Sequence, residues 1–171
     1  LFPYTTLFRS EAVELRASAR RVPFDELLET ADYISMHVPL DQTTRKMMNR
    51  NALARVQTGC ILINTSRGPV VEEEAVADAL DSGLLWGYGG DVFDVEPPPP
   101  DHPLIGRPDV MLTPHSAAQT DEGLVNMATG VARDVLAVLA GRTPENPVND
   151  PIEVERTRRE LGLEPLYRSM L

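Results

Sequence analysis

Residues 61–71, ILINTSRGPVV, decide how the chain is read. Ile61, Leu62 and Ile63 have the composition of a buried strand. Asn64, Thr65, Ser66 and Arg67 follow where that strand runs out, and Gly68-Pro69 leads toward a helix. In open parallel sheets ligands bind at the carboxyl ends of strands, so an arginine delivered there is well placed for chemistry. Two later stretches end the same way: GYGGDVFDVEPPPP (87–100) and VMLTPHSAAQ (110–119) are short apolar runs closing on polar or ionisable groups. Arg67, Glu96 and His115 are the candidate catalytic residues.

Outward from this stretch, strands and helices alternate. Residues 11–19 and 25–30 read as helices, the second capped by Asp25. Residues 33–38, YISMHV, read as a strand ended by Pro39. The segment 44–56 reads as mostly helical with a break near Asn49. A helix over 72–81 opens with three glutamates that suit its dipole, and Gly83 stops it. Strands follow over 85–93 and 110–113. A long helix over 120–140 places Leu124, Met127, Val131, Val135 and Val138 at core-facing spacing and ends at Gly141. This alternation predicts an α/β fold, a parallel sheet built from βαβ units. The prolines at 97–100 make a stiff loop that fixes where Glu96 points. A charged tail, 149–171, carries one weakly helical piece (153–161) and no evident function. Residues 1–10, LFPYTTLFRS, share neither period nor composition with the rest of the chain. They resemble translated adapter sequence at a contig edge, so a non-native segment joined to a chain truncated upstream is expected.

Composition narrows the function classes. The 171 residues suffice for a domain with a sizeable core, and the formal net charge of −10 argues against a nucleic-acid or anionic-membrane surface. No apolar run reaches the length of a membrane span, and no signal-peptide pattern leads the chain. The single cysteine, Cys60, opens an apolar run and reads as a small core residue. A cytoplasmic protein is expected. No histidine or cysteine pair stands at metal-ligand spacing, so no metal is expected. A nucleophile elbow, a phosphate-cradling Gly-Lys loop and a dinucleotide glycine fingerprint are also missing from the sequence.

The side-chain chemistry has two readings at each position. A guanidinium at Arg67 matches a carboxylate with a planar, permanently charged fork; the alternative is a surface ion pair with a glutamate such as Glu72. Imidazole at His115 can give and take a proton near neutrality, or it can be structural. A neighbouring carboxylate such as Glu96 favours the imidazolium and makes it the better donor to a developing alkoxide. His37 ends a strand and could line a pocket, while His102, within DHPL, reads as an exposed loop residue.

Taken together, DELLETADYISMHVPL, GCILINTSRGPVV, GYGGDVFDVEPPPPDHPL and VMLTPHSAAQT resemble the D-isomer-specific 2-hydroxyacid dehydrogenases, with the motifs in the family's order from about residue 22 to 149. The resemblance implies a Rossmann-type parallel sheet with flanking helices. It implies a nicotinamide-dependent oxidoreductase that interconverts a D-2-hydroxy acid and a 2-oxo acid. By motif position Arg67 would hold the substrate carboxylate and carbonyl, His115 would be the general acid/base, and Glu96 its orienting partner. Asp91 would contact the nicotinamide carboxamide. His37, Val38 and Pro39 would line the adenine side, Thr43 would approach the phosphates, and Thr65 and Ser66 would pack near the nicotinamide. Ala118 stands near the cofactor where the family often has glycine.

The family's glycine fingerprint, its acidic residue after the second strand and most of its substrate domain have no counterpart here. Residues 11–148 therefore read as the second half of the dinucleotide-binding domain, with a normally central strand edge laid bare, inactive alone and a homodimer when complete. NAD is the expected cofactor, with NADP compatible, since the discriminating residue lies in the part not matched. Glu96 argues against the formate dehydrogenase branch, which carries glutamine there, and the short tail against phosphoglycerate dehydrogenases with regulatory domains. Two other classes share these residues: a nucleotide-sensing corepressor-like protein, and a degenerate module that only dimerises.

Overall fold

Four short strands lie side by side in chain order, each pair parallel: β1 (Tyr33–Met36), β2 (Cys60–Asn64), β3 (Leu85–Gly90) and β4 (Val110–Leu112). The computed structural model describes residues 19–167 and divides into two units, one ending at Ala117 and one beginning at Ala118. The whole sheet belongs to the first. Segment 1–10 and, but for Ala19, the helix expected over 11–19 lie outside the described residues.

Register explains the core. Ile34 pairs with Leu62, Leu62 with Tyr88 and Tyr88 with Val110, a row pointing to one face, because side chains two apart share a side of the sheet. Ile34, Leu62 and Tyr88 are buried, and onto them pack Leu28, Met48, Leu53, Val70, Val76, Leu80 and Leu104. The opposite face is more open: Tyr33 and Met111 are exposed. Cys60 is buried at the start of β2, as expected of a small core residue.

Helices α1 (Phe24–Thr30), α2 (Arg50–Leu53) and α3 (Glu73–Asp81) flank the sheet, with a 3₁₀ turn at Gly68–Val70. α3 starts one residue later than the sequence suggested. It ends as expected, with Gly83 at a φ of 72° where a side chain would be strained. The helix expected over 44–56 shrinks to the four residues of α2. Its first half is claimed by side chains: Asp41 Oδ1 accepts the N–H groups of Thr43 and Thr44 and the Thr43 hydroxyl, and the buried Thr44 donates to Pro39 O at 2.6 Å. Such local bonds compete with helical ones. Met48 then joins Val71 in a parallel bridge, and Asn49 caps α2 through the Ala52 N–H at 3.0 Å. β3 stops at Gly90 rather than Phe93 because the chain turns at Asp91, whose N–H donates to Asn64 O at 3.0 Å.

The second unit holds α4 (Asp121–Leu139), capped by the Thr120 hydroxyl on Gly123 N–H, and α5 (Pro151–Glu160), capped by Asp150. Both helices form where the sequence placed them. The core-facing expectation for α4 does not hold: Leu124, Met127, Val131 and Val135 are each at least half exposed. Periodicity and caps are local and make the helix. Burial of its stripe needs an opposing surface, which spacing alone does not supply.

Candidate active site

The turn after β2 is built by one buried amide. Asn64 is fully buried at the strand's end. Its Oδ1 accepts the Ser66 N–H at 3.1 Å and the Ser66 hydroxyl at 2.8 Å, and its Nδ2 donates to Arg67 O at 2.9 Å. Three bonds from one side chain therefore fix the backbone that presents Arg67. The guanidinium donates from Nη1 to Ser66 O at 2.6 Å, and among the described residues no carboxylate pairs with it. The ion pair with Glu72 does not form, because Glu72 accepts the Arg50 N–H instead. A charged fork with donors to spare is left at the carboxyl end of the sheet.

The turn after β3 is built by Asp91. This buried carboxylate accepts the Thr113 hydroxyl at 2.5 Å and the N–H groups of Ser116 and Ala117 at 2.8 and 2.9 Å. Burial pushes its pKa up; the bonds from Thr113, Ala117 and Ser116, with the nearby His115, more than reverse that and leave it below the ordinary value. Asp91 thereby carries the loop after β4, including His115. His115 has a φ of 53°, a left-handed conformation in which histidine is among the more tolerated non-glycine residues.

Glu96 arrives on the loop after Asp91. Its Oε1 accepts the Phe93 N–H at 3.0 Å and its Oε2 meets His115 Nδ1 at 2.8 Å. The hydrogen bond with His115, and then that from Phe93, hold the Glu96 carboxyl below its ordinary pKa. A carboxylate can only accept, so Nδ1 carries the proton and Nε2 is the nitrogen left for exchange with solvent or substrate. The pair is exposed, with side chains 54% and 39% accessible.

A cleft of about 500 Å³ opens at the ends of β1 and β2, lined by His37, Val38, Pro39, Leu40, Thr65, Ser66 and Arg67. Its apolar wall and its hydroxyl and guanidinium donors suit a ligand with a flat ring at one end and anionic oxygens at the other. The structure thus gathers His37, Val38, Pro39, Thr65, Ser66 and Arg67 into one cleft, and Asp91, Glu96 and His115 into one cluster. Thr43 does not line the cleft; its hydroxyl is spent on Asp41. Ala118 is the first residue of the second unit.

His102 is not the exposed loop residue expected. Its side chain is 9% accessible, its Nε2 lies 3.1 Å from Glu73 Oε2, and its ring stands edge-on to Phe93. Glu73 gave no sign of this in the sequence, where it is one of three consecutive glutamates. Leu40 and the turn-building role of Asn64 were also missed; for Asn64, a polar residue closing an apolar strand was the available signal.

The model of the family described as D-isomer specific 2-hydroxyacid dehydrogenase, NAD binding domain, matches residues 3–117. The chain belongs to that family. It is 40% identical over 149 residues to a glyoxylate reductase from Korarchaeum cryptofilum, covering 87% of this chain and 45% of that protein. Among solved structures, D-lactate dehydrogenase with NAD+ from Lactobacillus jensenii superposes with a TM-score of 0.76 at 28% identity, over 87% of this chain and 47% of that one. A D-isomer specific 2-hydroxyacid dehydrogenase from Xanthobacter autotrophicus Py2, in complex with NADPH and MES, gives 0.65 at 33% identity, over 74% and 51%. The chain thus spans less than half the length of the curated relatives it matches. The Rossmann-type sheet expected from the motifs is the one these structures share.

Proposed function

We propose that this chain is the catalytic half of the nucleotide-binding domain of a dehydrogenase that reduces a small 2-oxo acid, of the glyoxylate or hydroxypyruvate kind, to a D-2-hydroxy acid. The observation that carries this is the His115–Glu96 pair at 2.8 Å, a proton donor with its orienting carboxylate at the carboxyl end of a parallel sheet. The names of the relatives, glyoxylate reductase and glyoxylate/hydroxypyruvate reductase B, supply the substrate class. A bound nicotinamide dinucleotide, NAD or NADP, would supply the hydride to the substrate carbon. Arg67 would bind the substrate carboxylate with its unpaired donors and align the carbonyl. His115 Nε2 would deliver the proton to the carbonyl oxygen as negative charge develops there, with Glu96 holding the ring. His37, Val38, Pro39, Thr65 and Ser66 would cradle the dinucleotide, and Asp91 would act mainly through the loop that it holds. Asp91 already accepts three hydrogen bonds, which leaves little capacity for the carboxamide. Thr43 and Ala118 keep the phosphate-side and cofactor-side positions that the resemblance gives them. Residues 11–148 would form this half-domain and 149–171 a tail, and the whole enzyme would be a cytoplasmic homodimer.

The test is a turnover assay with glyoxylate, hydroxypyruvate and pyruvate, each with NADH and NADPH. It is run on the 171-residue chain and on a chain extended with the in-frame upstream genomic sequence. Reduction by the extended chain alone is the expected result. Turnover by neither, with nucleotide still bound, would favour a nucleotide-sensing protein instead.

A further inference from the structure

Glu73 and His102 stand 29 positions apart, yet both side chains are about nine-tenths buried and face each other at 3.1 Å. Buried ionisable groups cost free energy unless their hydrogen bonds are met, and here they are. Glu73 Oε1 accepts the Asp94 N–H at 3.1 Å, and Oε2 meets His102 Nε2. His102 Nδ1 accepts the Leu104 N–H at 3.3 Å, so Nε2 carries the hydrogen that goes to Glu73. Leu104 is itself buried in the core. The two side chains thus pin both ends of the loop 94–104, one on the first turn of α3 and one on the core.

At the first of those pins lies the Phe93–Asp94 peptide. Its Asp94 end is held by Glu73, and the Phe93 N–H goes to Glu96 Oε1. The Phe93 ring meets the His102 ring edge-on at 5.3 Å. On its other side sits Gly68, next to Arg67, so close that a Cβ there would fall 1.9 Å from Phe93 C. The two consecutive peptide groups that flank Phe93 therefore link the arginine turn to the Glu96 loop.

We infer that Glu73 and His102 are a positioning pair, which holds the Phe93–Asp94 peptide so that the Glu96 carboxylate stays on His115 Nδ1. Neither residue touches a reacting group; they act through Glu96. The functional consequence rests on the dehydrogenase reading, whereas the positioning itself does not.

The experiment is imidazole ¹⁵N NMR on the 171-residue chain labelled at histidine, which has only three: His37, His102 and His115. E96Q supplies the reference for a His115 ring that has lost its carboxylate. H102A is expected to move the His115 signals to the E96Q position while those of His37 stay in place. H102Q, whose amide N–H can still reach Glu73, is expected to restore them. If H102A does not fold, E73Q serves in its place, since an amide no longer accepts at both ends, and the same shift is expected. Folded H102A or E73Q with unmoved His115 signals would overturn the inference. So would collapse of every histidine signal in both variants, because the pair would then support the whole unit rather than this loop. No substrate or cofactor enters this measurement. An inactive extended chain with the shift intact would sink the dehydrogenase reading alone, and an active one with no shift would sink the positioning pair alone.

Discussion

The carbonyl oxygen of Asp91 accepts the backbone N–H of His115 at 2.8 Å, while the Asp91 carboxylate takes the next two N–H groups of the same loop. Twenty-four residues separate the two in sequence, and the contact exists because β3 and β4 are parallel neighbours ending side by side. Asp91 is thus a backbone organiser for the histidine to which the proposed mechanism gives the proton.

Replacing Asp91 with asparagine should therefore act on both stability and the loop. An amide presents its NH₂ toward one of the two backbone donors, leaving a buried group unpaired at a cost of about 1–3 kcal/mol. Denaturant unfolding of D91N should show a loss of that size, with faster amide exchange at 115–117. Unchanged exchange there would count against the organising role.

Gly68→Ala should fail for a steric reason. The added Cβ would lie 1.9 Å from Phe93 C and 2.3 Å from Asp94 N, and backbone cannot give way as a side-chain tip can. Overpacking of this kind costs about 1–3 kcal/mol or more, and relief requires moving the peptide next to the Phe93 N–H that Glu96 accepts. The expected outcome is a lower unfolding midpoint together with a shifted His115 imidazole signal. Wild-type values for both would refute the close approach.

Acid titration should single out Glu96. Its carboxyl is held below the ordinary value first by the bond with His115 and then by Phe93 N–H. A depressed folded value means the stabilisation is present above the unfolded carboxylate pKa, near 4.5, and lost as pH falls through the lower folded one. Because the pair is exposed, the stability effect is small, and the carboxylate ¹³C shift is the better probe. Glu96 should protonate below the ordinary glutamate value. In H115A it should move back up, the Phe93 bond retaining part of the depression.

In the extended chain, His115→Gln should lower kcat by about 10²–10⁴-fold, the usual contribution of a positioned proton donor. Arg67→Gln should raise KM and lower kcat together, since the fork both binds and aligns. Near-normal kcat in H115Q would assign the proton transfer to another group.

Much of this molecule is written in local sequence. Apolar runs closed by polar residues at 61–67, 87–96 and 110–115 fix which segments become parallel strands and which residues stand at their carboxyl ends. That is why Arg67, Glu96 and His115 could be named as candidates without coordinates. Caps at Asn49, Thr120 and Asp150, and the stop at Gly83, are equally local. What only the tertiary structure decided are contacts between distant segments. Glu73 differs from its neighbours Glu72 and Glu74 only in pointing inward to His102, and the loop around Asp41 gave up its helical reading because side chains offered the backbone better bonds. Periodicity marks the face of α4 that can be buried, but burial depends on which surface comes to meet it. Hydrogen-bond partners chosen across 20 to 30 residues have no periodic signature, so sequence order alone does not reveal them.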